Sequence, residues 1–158
     1  MINKITERLI QAKDVNLKLN SKLYISLIEK MIKFSSKSIK SGGKVMFCGN
    51  GGSASDSLHL AAELIGRFKK KRKAISAISL NSEISTITAI ANDFGYEKIF
   101  ERQLESIGKK RDILIAISTS GKSKNINKVL SKAKKMKIKS ILLTSEKFKT
   151  NKKIADIV

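Results

Sequence analysis

At 158 residues and 41% hydrophobic content, the chain is long enough to bury one core and too short for two ordinary domains. No run approaches the roughly 20 consecutive apolar residues of a membrane span, and Met1-Ile2-Asn3-Lys4 opens into a charged, periodic segment instead of a signal peptide, so a cytoplasmic location is expected. The net charge of +20 would favour nucleic acid or an acidic surface if it were concentrated.

It is not concentrated. Lysine is spread along the whole chain, and arginine is confined to Arg8, Arg67, Arg72, Arg102 and Arg111, a pattern that an AT-rich coding bias explains equally well. The densest clusters, 69–73 and 132–139, fall at a helix-to-strand turn and on a helix face, where solvated charge is the default. Neither nucleic acid nor a membrane is the expected partner. The single cysteine, Cys48, ends an apolar run and reads as a small buried hydrophobe.

In chain order, apolar residues at helical spacing predict two amphipathic helices first. Ile2, Ile5, Leu9 and Ile10 mark one, and Leu23, Leu27, Ile28, Met31, Ile32 and Ile39 mark the other, which ends at Gly42-Gly43. Short β-branched runs then predict strands at 45–48, 75–80, 113–117, 141–144 and 155–158. Helix-length segments at 53–68, 84–91, 97–107 and 122–136 separate them. This βαβ rhythm predicts one α/β domain over 1–158, with helices over 1–41 and a parallel sheet of about five strands, covered on both faces, over 44–158. Ligands bind beyond the C-terminal strand ends of such sheets, which singles out the loops at 48–53, 80–84 and 117–123.

The first loop, Cys48-Gly49-Asn50-Gly51-Gly52-Ser53, is glycine-rich between strand and helix. Its backbone can approach an oxygen-rich ligand, and Ser53 is expected to cap a helix whose N-terminus favours anions. A tight turn with no ligand explains it equally well. The spacing fits neither the dinucleotide Gly-x-Gly-x-x-Gly fingerprint nor a nucleotide P-loop. The third loop, Ile117-Ser118-Thr119-Ser120-Gly121-Lys122-Ser123-Lys124-Asn125, sets four hydroxyls within six positions at a helix start. That is more than capping requires, and it suits a phosphate cradle with Lys122 or Lys124 at the rim.

His59, the one histidine, and Glu63 lie at i, i+4 and share a helix face. Such a pair can be a surface ion pair, two metal ligands, or an acid and a base. Its position after a ligand-like loop, among Leu58, Leu60, Ala61, Ala62 and Leu64, favours the functional readings.

Phe47-Cys48-Gly49-Asn50-Gly51-Gly52-Ser53, His59-Leu60-Ala61-Ala62-Glu63-Leu64, Gly66-Arg67-Phe68, Thr88 through Glu97 with Asn92-Asp93-Phe94-Gly95, and Ile117 through Ser123 together resemble the phosphoheptose isomerase signature of the SIS, or sugar isomerase, family. The resemblance spans essentially the whole chain and implies a three-layer SIS sandwich. It implies interconversion of sedoheptulose 7-phosphate and D-glycero-D-manno-heptose 7-phosphate through an enediol, for heptose and lipopolysaccharide precursor synthesis. By resemblance, Glu63 is the base and His59 its catalytic neighbour, and both are zinc ligands. Ser118, Thr119, Ser120 and Ser123 match phosphate and sugar contacts, while Asn50, Gly51, Gly52, Ser53, Asn92, Asp93 and Arg67 match further substrate positions. The resemblance also implies a homotetramer built on the N-terminal helices, with sites between subunits.

Two departures stand out. Family members continue some thirty residues further, through a strand and a helix carrying a glutamine and a histidine, the remaining metal ligands and the general acid. The expectation is therefore of an incomplete ligand set and an uncovered sheet face in this chain. At Thr144-Ser145-Glu146-Lys147-Phe148-Lys149 a lysine-rich stretch replaces a glycine-rich turn. A non-catalytic SIS sugar-phosphate-binding module, or an SIS protein associating with a replication initiator, are the competing readings.

Overall fold

The computed structural model describes residues 2–67, 69, 71–148 and 154–158. The chain divides into two compact units, Met1–Lys33 and Phe34–Val158. The first holds α1 (Ile2–Leu19) and the start of α2 (Lys22–Lys40), joined by a turn in which the Asn20 and Ser21 amides donate to the Leu17 and Lys18 carbonyls. Its apolar residues fall at helical spacing as expected, yet α1 buries none of them: Ile2, Leu9, Val15 and Leu17 all lie more than half exposed.

The second unit alternates strands and helices. In order come β1 (Val45–Gly49), α3 (Gly52–Ile65), β2 (Ala77–Ser79), α4 (Ile84–Phe94), a 3-10 turn (Tyr96–Lys98), α5 (Ile99–Ile107), β3 (Ile113–Ile117), α6 (Lys124–Lys135) and β4 (Lys139–Leu143). All strand pairs are parallel, in the order β2-β1-β3-β4, with Val45 opposite both Ala77 and Ile113, and Ile113 opposite Lys139.

Burial explains the sequence of the central strands. β1 and β3 are covered on both faces and so read as unbroken apolar runs. Met46, Cys48, Leu114, Ala116 and Leu142 point to one side, into a cluster with Phe100 and Leu104 of α5 and Ile126, Val129, Leu130 and Ala133 of α6. The α6 residues recur at the three- and four-residue spacing of a single helical face. On the other side, Ser57 of α3 meets Ser79 of β2, and α3 packs along β1 and β2.

Several boundaries differ from the sequence expectation for physical reasons. The strand expected over 75–80 shrinks to Ala77–Ser79, because Ile75 donates its amide to the Leu64 carbonyl at the end of α3 instead of joining the ladder. The helix expected to start at 97 begins as a 3-10 turn after Gly95. The helix expected over 53–68 ends at Ile65, and Phe68 lies outside the described residues. A fifth strand is reduced to one parallel bridge, Ile141 to Ile157, supported by Leu142 N–H donating to the Ile157 carbonyl and by Asp156 accepting from the Ser140 amide.

The topology also locates the ligand face. From β1 the chain turns to β2 on one side, and from β3 it turns to β4 on the other. The loops after β1 and β3 therefore diverge and leave a crevice beyond their carboxyl ends.

Candidate sugar-phosphate site

The loop after β1 is held from below. Gly49 N–H donates to Asn81 Oδ1 at 3.1 Å and Asn81 Nδ2 returns to the Gly49 carbonyl at 2.9 Å. Ser57 Oγ also donates to Asn81 Oδ1 at 2.9 Å and shares a hydrogen with Ser79 Oγ at 2.8 Å. Asn81, which the sequence reading left out of the site, thus clamps the glycine loop to the end of β2. Gly51 takes φ 57°, a left-handed conformation that glycine adopts without strain, and space is open around Gly51 and Gly52. Ser53 does not cap α3. Gly51 occupies the cap position without a side-chain bond, and Ser53 falls inside the first turn, leaving that helix end free of a side-chain acceptor.

The loop after β3 is built similarly. Ser118 is buried, its amide donates to the Leu143 carbonyl, and its hydroxyl lies 3.2 Å from the Ser123 hydroxyl. Ser123 is the N-cap residue of α6, but its side chain turns to Ser118 and does not cap the helix. Thr119 and Ser120 are exposed, and Ser120 Oγ accepts from the Lys122 amide at 3.2 Å. Gly121 turns the chain at φ 63°, where a side chain would strike the Phe148 ring. The lysine-rich segment after β4 thus packs its one aromatic residue against this loop, and Thr119 O accepts from Ser145 N–H and Thr144 Oγ1. Lys149 lies outside the described residues.

The two loops meet through their asparagines. Asn50 Nδ2 donates to Asn125 Oδ1 at 2.9 Å, and Asn125 Nδ2 donates to Asn50 Oδ1 at 2.8 Å. Tyr96 OH adds a third bond to Asn50 Oδ1 at 3.1 Å. Beside them lies a cavity of about 350 Å³ lined by Asn50, Tyr96, Glu97, Ser123, Lys124 and Asn125. Tyr96 and Asn125 were absent from the expected site. Their signal in the sequence was position only, within the Asn92–Glu97 block and at the end of the serine loop.

His59 and Glu63 do share a face of α3, with Nε2 3.6 Å from Oε1, and the imidazole is 74% exposed. At 1.5 Å per residue, Glu63 lies about 16 Å along the helix from the glycine loop, and His59 about 10 Å. Among the described residues, the imidazole and the Glu63 carboxylate approach each other and neither loop. Among them no group of three or more His, Cys, Asp and Glu could hold a metal. Two donors at this spacing can share an ion, but they are half of a tetrahedral zinc set. Asn92 Nδ2 bonds Asp93 Oδ1 at 2.8 Å, and both residues are exposed on the last turn of α4. Arg67 is exposed after α3, whereas Arg72, which was not singled out, donates to the Glu63 and Leu64 carbonyls and satisfies the end of that helix. Burial pushes the Cys48 thiol far up, which removes it as a nucleophile.

The fold and the paired loops define the class: an open parallel α/β domain whose ligand crevice lies between β1 and β3. A model of the SIS domain matches residues 13–145. A phosphoheptose isomerase of Helicobacter pylori is 52% identical over 121 residues, covering 77% of this chain and 63% of that protein. One from Akkermansia muciniphila is 45% identical, covering 82% and 68%. Among solved structures, phosphoheptose isomerases from Neisseria gonorrhoeae and Francisella tularensis superpose with TM-scores of 0.83 and 0.80, at 28% and 35% identity, covering 75% and 73% of those chains. The chain belongs to the SIS domain family and, within it, to the phosphoheptose isomerases. It spans about 63% of the length of the Helicobacter relative.

Proposed function

We propose that the chain serves an aldose–ketose isomerase that interconverts sedoheptulose 7-phosphate and D-glycero-D-manno-heptose 7-phosphate. The observation that carries this reading is the junction of two ligand-facing loops at the switch point. A hydroxyl-rich loop at the uncapped start of α6 suits the phosphate, and the Asn50 loop beside it suits sugar oxygens. Ser118, Thr119, Ser120 and Ser123 hold the phosphate, with Lys124 at the rim.

In the chemical step Glu63 takes a proton from the carbon next to the substrate carbonyl. The carbonyl oxygen gains a proton to give an enediol; Glu63 then delivers its proton to the former carbonyl carbon while the neighbouring enediol hydroxyl gives up its own to form the new carbonyl, so the reaction is balanced and redox-neutral overall. His59 sits beside Glu63, with Nε2 3.6 Å from Oε1. We assign the pair two of the ligands of a zinc ion, which would polarise sugar oxygens. The distance of about 16 Å along α3 supports assembly of the complete site from more than one chain, and the uncovered apolar residues of α1 and α2 suit a homotetramer. Among the described residues no helix is long and apolar enough to cross a membrane, and a cytoplasmic setting fits the substrate.

Incubation with sedoheptulose 7-phosphate, followed by NMR with and without added zinc, tests the reading. Appearance of the heptose 7-phosphate supports it. Ligand-induced stabilisation without product would mean a binding module, and neither response would overturn both.

A further inference from the structure

The amide hydrogen bonds at the crevice determine what Asn50 can recognise. An asparagine side chain can ordinarily present either its oxygen or its nitrogen, and geometry alone rarely says which. Here the backbone decides. Ile126 N–H, a donor that needs an acceptor, donates to Asn125 Oδ1 at 2.9 Å. That fixes the Asn125 amide, which is 3% exposed and held at the start of α6. With Asn125 fixed, the reciprocal pair leaves Asn50 one orientation: Nδ2 toward Asn125 Oδ1, and Oδ1 toward Asn125 Nδ2. Tyr96 OH then donates to the same Asn50 oxygen, which has two lone pairs and now carries two hydrogen bonds.

We propose that Asn125 and Tyr96 act as positioning residues that convert Asn50 into a pure donor, so that its one remaining Nδ2 hydrogen selects an acceptor oxygen of the sugar chain, hydroxyl or carbonyl. This inference rests on the sugar-phosphate reading of the same crevice. It assigns the orientation of Asn50 to residues 75 positions away in Asn125 and 46 in Tyr96. The serine hydroxyls of the phosphate loop lie outside this coupling, because Ser118 and Ser123 bond each other and Ser120 bonds the local backbone, not the asparagines.

The test is a double-mutant cycle read by calorimetric titration with sedoheptulose 7-phosphate and, separately, with inorganic phosphate, alongside the melting temperature of each variant. Asn125→Ser keeps an oxygen near Ile126 N–H but cannot reach Asn50. Asn50→Ala and Asn125→Ser are each expected to weaken sugar-phosphate binding about tenfold, and the double variant no further, because one acts through the other. Inorganic phosphate affinity stays within about twofold of the parent throughout. Tyr96→Phe, at an exposed site that tolerates the change, weakens the sugar phosphate about threefold in the parent and not at all in the Asn50→Ala background. Additive losses, equal losses for both ligands, or parental affinity in Asn125→Ser and Tyr96→Phe would overturn the inference while leaving the sugar-phosphate reading intact. A parent protein that binds neither ligand overturns both.

Discussion

Single residues carry most of what distinguishes this site from a generic strand-to-helix turn. Gly121 is one: its φ of 63° and the Phe148 ring against its α-carbon leave no room for a side chain. Gly121→Ala is expected to cost about 1–3 kcal/mol in urea unfolding and to weaken phosphate binding, because the hydroxyls of Ser118 and Ser123 are set by that turn. At this scale the sequence was only partly legible. The glycine and serine loops were visible because their composition is local. The Asn50–Asn125 pair was not, since no spacing rule links residues so far apart. Ser53 was misread as a cap because serine is a common N-cap residue, whereas Gly51 with ψ −123° takes the position.

The elements are pinned at both ends of the two central strands. Opposite the crevice, just before Val45 and Ile113 pair, Asp112 Oδ1 accepts from Lys44 N–H at 3.0 Å, and Oδ2 accepts from Lys44 Nζ at 2.6 Å and from Lys109 N–H at 2.8 Å. Burial pushes this carboxyl up, but the Lys44 ammonium and the two amides outweigh it and hold the group below the usual carboxylate range. A depressed folded value means that the stability is present above the unfolded value of about 3.9 and is lost as pH falls through that range. Asp112→Asn should therefore lower stability by about 1–3 kcal/mol near neutrality, with the gap to the parent narrowing as pH falls below the unfolded value of about 3.9. Thermal unfolding across that range checks the sign, and a gap that widens in acid would contradict it. The strands and most helices were readable because apolar periodicity encodes them. The ends of β2 and the 3-10 turn before α5 were not, because single backbone bonds such as Ile75 to Leu64 decide them.

At the scale of the whole molecule, a sheet with its crevice between β1 and β3 brings the glycine and serine loops together, while His59 and Glu63 lie well along α3. Fold class and family were legible because the motifs recur in order along the chain. Which groups complete the chemistry was not, because a helix face shows only that His59 and Glu63 are neighbours and not what they meet. The apolar residues of α1 and α2 that lie exposed, and the reach along α3, are the features on which the proposed assembly between copies rests. Enediol chemistry leaves a signature independent of net conversion: a proton removed by a carboxylate exchanges with solvent before it returns. The most direct measurement is therefore deuterium incorporation into sedoheptulose 7-phosphate in heavy water, comparing the parent with Glu63→Gln. The account predicts label beside the carbonyl for the parent and a loss of about 10²–10⁴-fold in Glu63→Gln with sugar-phosphate binding retained. Exchange undiminished in Glu63→Gln would contradict it.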